Sequence, residues 1–251
     1  PIFEGNSKFK HHVIPTGNWR GMVMRTDLEP FKDARVRKAV RMAVDRQALA
    51  DLVTGGAAEV TCDHPVMKSD QYRADLSCPQ DIEGAKKLLA DAGYPDGIEF
   101  TVYPSSLEPT WTPIAEVVQQ QVAAAGLKVN IQVVPSDGYW NDIWLKKPVA
   151  MTRWNQRPAD QALNEIYHSS AKWNESLYKN AAFDSLLGMA RKELDFEKRK
   201  AMYQAAQNVL WEESGTLIPY TVSKLIVTTA RVNNLDEVEN WSVRWHKITV
   251  D

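Results

Sequence analysis

Apolar residues recur along much of the chain with the spacing of helices and strands. Residues 33–53 carry apolar side chains at every third or fourth position, which predicts one long helix that Gly55-Gly56 ends. The same spacing predicts a second helix, which Asp81 caps at its start and Gly93 closes. Between these helices, residues 57–79 show no such pattern and are expected to form a loop that contains both cysteines.

The middle of the chain changes from one period to another and back. Apolar and polar residues alternate over residues 98–103 and again over residues 127–133, as they do in half-buried strands. Between them, Thr112-Pro113 opens a stretch with helical spacing that Gly126 ends. This pattern predicts a β-α-β unit, with parallel strands and a right-handed crossover.

The remaining segments continue the alternation of strands and helices, which indicates an α/β protein. We predict strands at residues 21–26, 149–154, 217–220 and 225–228, helices from residue 136 or 137, at 182–193 and at 196–212, and a loop at 155–161.

Composition excludes some classes of protein. The chain has 251 residues, 44% hydrophobic and 25% charged, which is typical of a globular protein of one large domain or two small ones. Its 30 basic and 32 acidic residues give a net charge of -2, without the basic excess of nucleic-acid binders, so no nucleic-acid partner is predicted. The nine tryptophans are unusual, and we expect some of them in the core and some in a cleft or an interface.

The search for catalytic and metal-binding motifs finds no phosphate loop, no nucleophile elbow and no metalloprotease motif. Cys62, His64 and Cys78 could supply three zinc ligands, but a fourth ligand and the usual paired spacing are missing. We therefore predict neither a metal nor a cofactor. The two cysteines would be free thiols in a cytosolic protein, and a disulfide in an exported one.

Five cations lie on the polar side of the first predicted helix, where a solvent-exposed face is favoured over an anion site. They are Arg35, Arg37, Lys38, Arg41 and Arg46.

Several stretches form a recognisable series when they are read in order. F-K-D-A-R-V-R-K-A-V and A-V-D-R lie within residues 31–46, and A-K-K-L-L-A-D-A-G-Y-P-D-G occupies residues 85–97. A-G-L-K-V follows at residues 125–129, then R-x-x-x-Y-x-x-A-Q-x-x-L at residues 199–210, and Ile218-Pro219. The series resembles the signature of family 5 extracellular solute-binding proteins, the dipeptide-, oligopeptide- and nickel-binding receptors of bacterial ABC importers.

The resemblance implies a fold and a division of the chain. Members of this family are about twice as long and bind a ligand between two lobes of the type II periplasmic-binding-protein-like fold. The chain is similar to their C-terminal half, in which a mixed sheet is flanked by helices. We expect residues 1–20 to cross from a missing first lobe, residues 21–221 to form the ligand-binding lobe, and residues 222–251 to return.

The resemblance also implies a location and partners. The chain is expected to be periplasmic or lipid-anchored outside the cell, with Cys62 and Cys78 joined as a disulfide. Its partners would be a small-molecule or peptide ligand and the membrane subunits of an ABC permease. Strands around residues 11–14 and 243–250 would lack their partners from the first lobe, and such unpaired edges favour self-association of the fragment.

The predicted site departs from the family pattern at one position. In peptide-binding members, an Asp three residues after a Trp pairs with the amino terminus of the peptide. Here Trp154 matches the Trp, but Arg157 stands in place of the Asp, and Asp160 matches a later acidic position. Arg157 is either a solvated loop residue or the partner of a ligand carboxylate or phosphate, which would suit an opine, a sugar acid or an acidic peptide.

Trp154 is the strongest candidate in the site, as an apolar platform beside polar loop groups. Asn155 is a candidate hydrogen-bond donor. Trp111, Tyr139 and Trp140 are weaker candidates, for which packing in the core is at least as well supported.

The predicted function is the capture of a small organic solute, without a reaction, by closure of two lobes. Two other classes stay open: a secreted hydrolase acting on peptides or glycosides, and a peptide-holding chaperone. A hydrolase needs a convergent pair of catalytic side chains, which the sequence around Trp154 does not provide.

Overall fold

The structure is a computed structural model that describes Phe3, residues 5–235 and residues 245–251. The helices of this part are α1 (Ala34–Met42), α2 (Arg46–Thr54), α3 (Ile82–Asp91), α4 (Trp111–Val122), α5 (Tyr139–Asp142), α6 (Ala159–Ile166), α7 (Ala181–Ala190) and α8 (Phe196–Glu213). The strands are β1 (Phe9–Met24), β2 (Ala58–Val60), β3 (Ile98–Val102), β4 (Leu127–Ile131), β5 (Val149–Trp154), β6 (Thr216–Thr229), β7 (Val232–Asn233) and β8 (Thr249–Val250).

The sheet is mixed. Four strands lie in the order β2-β6-β1-β5, with each neighbouring pair antiparallel. β3 and β4 form a parallel pair, and a parallel bridge between Tyr103 and Ala150 places this pair beside β5. Parallel and antiparallel strands therefore meet at β5, and the predicted α/β fold with a mixed sheet is confirmed.

The predicted β-α-β unit is present as β3, α4 and β4. Phe100 on β3 is level with Val129 on β4, and both are buried, as the alternation of apolar residues requires. The turn before β3 depends on Gly97, whose φ is +85°, because a Cβ there would lie 1.8 Å from the carbonyl oxygen of Gly126.

Other predicted boundaries are wrong. The long helix expected at residues 33–53 is two helices, because the Asp45 side chain accepts a hydrogen bond from the backbone N–H of Ala48 and caps a new helix, α2. Residues 159–161, expected in a loop, begin α6. The two closing strands are one strand, β6, and β1 begins twelve residues before the predicted start at residue 21.

The first half of β1 pairs with the second half of β6 in a two-stranded ribbon. Val13 is level with Leu225, and the pairing extends from Phe9, opposite Thr229, to Pro15. Residues 11–14 are therefore paired within the chain along one edge, and a partner from a first lobe along their other edge stays a prediction. The other expected edge, residues 243–250, lies partly outside the described residues, and β8 within it pairs with β7.

Two apolar clusters lie on opposite faces of the sheet. Neighbouring residues of a strand point to opposite faces, and Leu217 belongs to one cluster whereas Ile218 belongs to the other. The first cluster packs under α1 to α4, and the second cluster packs under α6 to α8. Among the described residues, no helix combines the length and the apolar content needed to cross a membrane.

Three of the five cations expected on a solvated face of the first helix are buried instead. Arg37 donates to the carbonyl oxygens of Phe31 and Glu213, at 2.7 and 2.9 Å. Arg41 donates to those of Trp211 and Glu212, at 2.7 and 3.2 Å. The last carbonyls of α8 have no partner within their own helix, and two arginines of α1 satisfy them. Burial lowers the pKa of Arg37 to about 10, and it also lowers the pKa of Arg41.

The third buried cation, Arg46, forms an ion pair with Asp63 in which both side chains are almost fully buried. The same carboxylate lies 3.6 Å from Arg41 and accepts the backbone N–H of Ile218 at 3.0 Å. Asp63 thus connects α1, α2 and β6, and the solvated face predicted for these arginines is wrong because their partners lie far away in sequence.

A disulfide between Cys62 and Cys78 closes the loop that carries Asp63. The two Cα atoms are 5.4 Å apart, and Arg46 donates to the carbonyl oxygen of Cys78 at 3.2 Å. The predicted pairing is confirmed. The described residues contain no group of three or more side chains that could hold a metal ion.

We expect Asp63→Asn to lower the free energy of unfolding by about 3–5 kcal/mol, because it leaves Arg46 buried without a counter-charge. Urea denaturation followed by circular dichroism measures this effect. Glu83→Gln is the matched control, since the Glu83–Lys86 pair is exposed and should contribute less than about 1 kcal/mol. Equal losses in the two variants would contradict the role given to Asp63.

His64 is a second buried titratable group, and it follows Asp63 directly. The side chain is 0% exposed, and neither ring nitrogen has a hydrogen-bond partner among the described residues. Burial, assisted by the charge of Arg73, lowers the pKa of His64 to about 3 from its ordinary value of 6.5. Between these two pH values the unfolded chain binds a proton that the folded chain does not.

Stability should therefore fall as the pH falls from 6.5 towards 3, by up to about 1.4 kcal/mol per pH unit from this residue. His64→Phe should remove that part of the slope, whereas His11→Phe, at an exposed histidine, should leave it unchanged. Chemical denaturation at several pH values tests this, and parallel slopes in wild type and His64→Phe would contradict it.

Candidate ligand-binding site

A pocket with a volume of about 290 Å³ opens where β5 ends. Four tryptophans line it: Trp140, Trp144, Trp154 and Trp173. Thr152, Arg153, Arg157 and Glu175 supply its polar groups. A mostly apolar concavity with a few polar side chains is the usual form of a small-molecule site.

The four tryptophans come from three parts of the chain. Trp140 lies on α5 and Trp144 just after it, and their ring centres are 5.7 Å apart at an interplanar angle of 83°. Trp154 ends β5 and packs against Trp173, 5.8 Å away at 56°, from the segment between α6 and α7. Trp140 and Trp173 keep 40% and 43% of their surface exposed, so their rings are accessible to a ligand.

Trp111 and Tyr139 support the site and do not line it. Both are buried, with exposures of 0% and 1%. The Tyr139 hydroxyl donates to the carbonyl oxygen of Met151 at 2.8 Å and accepts its N–H at 2.9 Å. Trp111 donates from Nε1 to the carbonyl oxygen of Thr152 at 3.2 Å. These bonds fix α4 and α5 against β5, and core packing, the alternative use of both side chains, is the one that the structure shows.

Glu175 forms the base of the pocket, and no pattern in the sequence marks it. Its carboxylate accepts hydrogen bonds from Trp154 Nε1 at 2.6 Å, from Thr152 Oγ1 at 2.6 Å and from Trp144 Nε1. Burial raises the pKa of Glu175, although the three donors oppose that shift. Among the described residues no cation forms an ion pair with it, and its three hydrogen-bond donors are all neutral.

Two arginines lie at the rim, and each has an acidic partner within the lobe. Arg157 Nε is 3.2 Å from Glu165 Oε2, and the Arg157 guanidinium carbon lies 5.9 Å from the centre of the Trp154 ring. Arg153 Nη1 is 3.2 Å from Glu108, a carboxylate that also pairs with Arg20 at 2.8 Å. Arg157 therefore lies beside the tryptophan with which the sequence associated it.

Asp160 and Asn155 do not line the pocket. Asp160 accepts two hydrogen bonds from Arg191, at 2.8 and 2.9 Å, and one from Tyr203 at 2.8 Å. Burial alone would raise the pKa of Asp160, but these bonds and the charge of Arg191 lower it. Asn155 is exposed at the end of β5. A ligand contact by either residue stays a prediction.

Comparison with known proteins places this geometry in a family. The sequence model of bacterial extracellular solute-binding proteins, family 5 (middle part), matches residues 1–174. The glutathione-binding protein GsiB of Salmonella paratyphi A (strain ATCC 9150 / SARB42) is 31% identical over 234 residues, which are 88% of this chain and 45% of that protein. The chain spans about half the length of the curated relatives it matches.

Solved structures show the same fold. The periplasmic binding protein DppA from Helicobacter pylori, in complex with the peptide STSA, superposes with a TM-score of 0.82 at 21% identity, over 99% of this chain and 50% of that protein. NikZ from Campylobacter jejuni, in complex with Ni(L-His), gives a TM-score of 0.79 at 20% identity, over 94% and 51%. The described residues thus have the fold of part of a type II periplasmic binding protein, as the sequence predicted.

We expect Tyr139→Phe to lower the free energy of unfolding by about 1–3 kcal/mol, because it leaves the buried N–H and carbonyl groups of Met151 without their partner. Tyr94→Phe, at a half-buried tyrosine beyond the end of α3, is the control. Urea denaturation compares the two, and a loss at Tyr139 no larger than that at Tyr94 would contradict the supporting role.

Proposed function

The chain belongs to family 5 of the bacterial extracellular solute-binding proteins, and we propose that it forms the ligand-binding lobe of a receptor that serves an ABC importer. Proteins of this family bind solutes and are not enzymes, so the hydrolase interpretation is not supported. Family 5 binding proteins are extracellular or periplasmic. We propose a periplasmic or lipid-anchored receptor that delivers its solute to the membrane subunits of a permease.

The tryptophan-lined pocket at the end of β5 is the observation that carries this proposal. It combines accessible aromatic rings with a small number of charged groups, and it lies on the same loop that the sequence singled out at Trp154. Side chains fixed from behind, such as Trp154 above Trp19 at 6.5 Å, form a rigid wall that needs little ordering when a ligand binds.

We propose that residues 21–221 form the lobe and that residues 1–20 and 222–251 lead to and from a second lobe. The ribbon of β1 and β6 supports this division, since it carries exposed apolar side chains on both strands. Val13 and Leu225 lie opposite each other and are 54% and 57% exposed. In a two-lobed receptor, closure around the ligand would be favoured because the ligand binds the closed state more tightly.

The charges of the rim favour a ligand with an acidic group. Arg157 and Arg153 both line the pocket, and a guanidinium can bind a carboxylate or phosphate through two parallel hydrogen bonds. A relative named for glutathione, which is itself a small acidic peptide, supports this class of ligand. An opine, a sugar acid or an acidic peptide would satisfy the same groups.

A peptide-holding chaperone is the competing function, and it predicts weak binding of many unrelated peptides. Native mass spectrometry of the receptor, purified without refolding, distinguishes the two. A single co-purified small solute supports the proposal, whereas a broad set of peptides would favour the chaperone.

We expect Arg157→Ala to weaken binding of an acidic solute by about ten- to a hundredfold, because a charge-assisted hydrogen bond in a closed cleft contributes about 1.5–3 kcal/mol. Arg157→Lys should lose part of this factor, since an ammonium keeps the charge but not the forked geometry. Calorimetric titration of the two-lobed receptor with glutathione, and with the solute found by mass spectrometry, measures it.

Asp160→Asn is the matched control for this prediction, because Asp160 lies three residues after Arg157, in the first turn of α6, and is bound to Arg191 and Tyr203. A large loss at Asp160 with little loss at Arg157 would instead support an ammonium partner at Asp160. Equal affinity in wild type and Arg157→Ala would make Arg157 a loop residue without a ligand.

A further inference from the structure

We infer that the four tryptophans and Glu175 form a cage for an alkylated ammonium group, so that the ligand is a zwitterion of the betaine class. Its quaternary nitrogen would lie among the indole rings and its carboxylate at Arg157. The inference rests on the proposed function, because it takes this pocket as the ligand site. It adds the cationic group of the ligand, since the arginines account only for an acidic group.

The rings supply the first reason. A cation is attracted to the electron-rich face of an aromatic ring, and tryptophan gives the strongest of these interactions. The rings of Trp140 and Trp144 meet nearly edge to face, and those of Trp154 and Trp173 meet at a tilted angle. The faces of the four rings therefore point in several directions around one pocket. Several ring faces around one cavity suit the compact, round shape of a quaternary ammonium.

The charge of Glu175 supplies the second reason. Its hydrogen bonds come from two indole N–H groups and one hydroxyl, all of them neutral, and no ion pair with it is present in the described part of the chain. Removing a carboxylate from water without a counter-charge is costly, and a cationic ligand group would reduce that cost. Both Trp144 and Trp154 point their N–H edges at the carboxylate, which makes their ring faces more electron-rich.

The count of acceptors distinguishes an alkylated ammonium from a primary one. A primary ammonium has three N–H donors. A carboxylate offers about four lone-pair positions, and three of those on Glu175 are already used. Apart from Glu175 and the hydroxyl of Thr152, the polar side chains that line the pocket are the two arginines, which only donate. A quaternary nitrogen has no N–H to satisfy, so it fits this lining better.

The arginines account for the other end of the ligand. Arg157 lies directly beside Trp154, and its acidic partner Glu165 comes from α6, away from the base of the pocket. The pocket therefore has guanidinium groups at its rim, each beside an acidic partner, and the carboxyl group of Glu175 at its base. This order of charges matches a molecule whose cation and carboxylate are separated by only a few bonds.

The test uses four small probes and the indole N–H resonances of the nitrogen-15-labelled chain. The probes are glycine betaine, its carbon isostere 3,3-dimethylbutanoate, in which a neutral carbon replaces the quaternary nitrogen and the carboxylate remains, tetramethylammonium, which has no carboxylate, and glycine, which has a primary ammonium. Nuclear magnetic resonance detects weak binding, so the chain can be titrated as it is. The indole resonances of Trp144 and Trp154 report on the cage, and those of Trp211 and Trp245 report on tryptophans elsewhere.

We expect glycine betaine to shift the Trp144 and Trp154 resonances at concentrations about tenfold lower than 3,3-dimethylbutanoate or glycine does. Tetramethylammonium should shift the same resonances. Glu175→Gln should remove the preference for betaine over its isostere. Trp173→Ala, at a half-exposed ring that folding tolerates more readily, should weaken betaine and tetramethylammonium binding, and Trp245→Ala should not.

The two proposals fail in different ways. Equal binding of betaine and its isostere, or no shift by any cationic probe, would overturn the cage and leave a carboxylate site at Arg157 in place. Binding of tetramethylammonium to the cage, together with carboxylate probes that are insensitive to Arg157→Ala, would support the cage and remove Arg157 as the acidic partner. Stronger binding of glycine than of betaine would also overturn the alkylated ammonium.

Discussion

The carboxylate of Asp63 connects parts of the chain that no local pattern brings together. It pairs with Arg46 at the start of α2, lies close to Arg41 on α1, and accepts the N–H of Ile218 on β6. Since Arg41 also binds the end of α8, four elements meet around one charge. β6 pairs with β1, and β1 pairs with β5. The position of the end of β5, where the pocket opens, therefore depends on the interactions of Asp63.

A buried ion pair of this kind does not by itself make a protein more stable than apolar residues would. Its effect here is on the specificity of the fold. Each charged side chain is costly to bury alone, and only one arrangement of the helices and strands gives all of them their partners. Arg37 and Arg41 have their carbonyl partners only when α8 ends against α1. The disulfide beside Asp63 holds the loop in that arrangement. Residues 31–46, one of the stretches that carry the family resemblance, are thus structural, and none of them lines the pocket.

How well each feature is predicted from the sequence depends on how far apart along the chain its interacting residues lie. β5, α3 and the β-α-β unit were predicted well, because their apolar spacing and capping residues are local. The burial of Arg37 and Arg41 was missed, because their carbonyl partners lie about 170 residues later in the chain. Trp154 and Arg157 are candidates because of the family motif, and both line the pocket. Glu175 was missed because a single glutamate outside any helix or strand has no pattern that marks it.

Asp63 and Glu175 are both buried carboxylates, but different groups surround them, and the contrast bears on which of them is functional. Asp63 has two arginines beside it, so its charge is compensated within the folded chain. Glu175 is just as buried but has only indole and hydroxyl donors, and it faces a pocket. A structural carboxylate gains nothing from an open side, whereas a binding site needs an interaction that is incomplete until the ligand arrives. The surroundings of Asp63 are those of a structural carboxylate, whereas those of Glu175 are what the proposed ligand site requires.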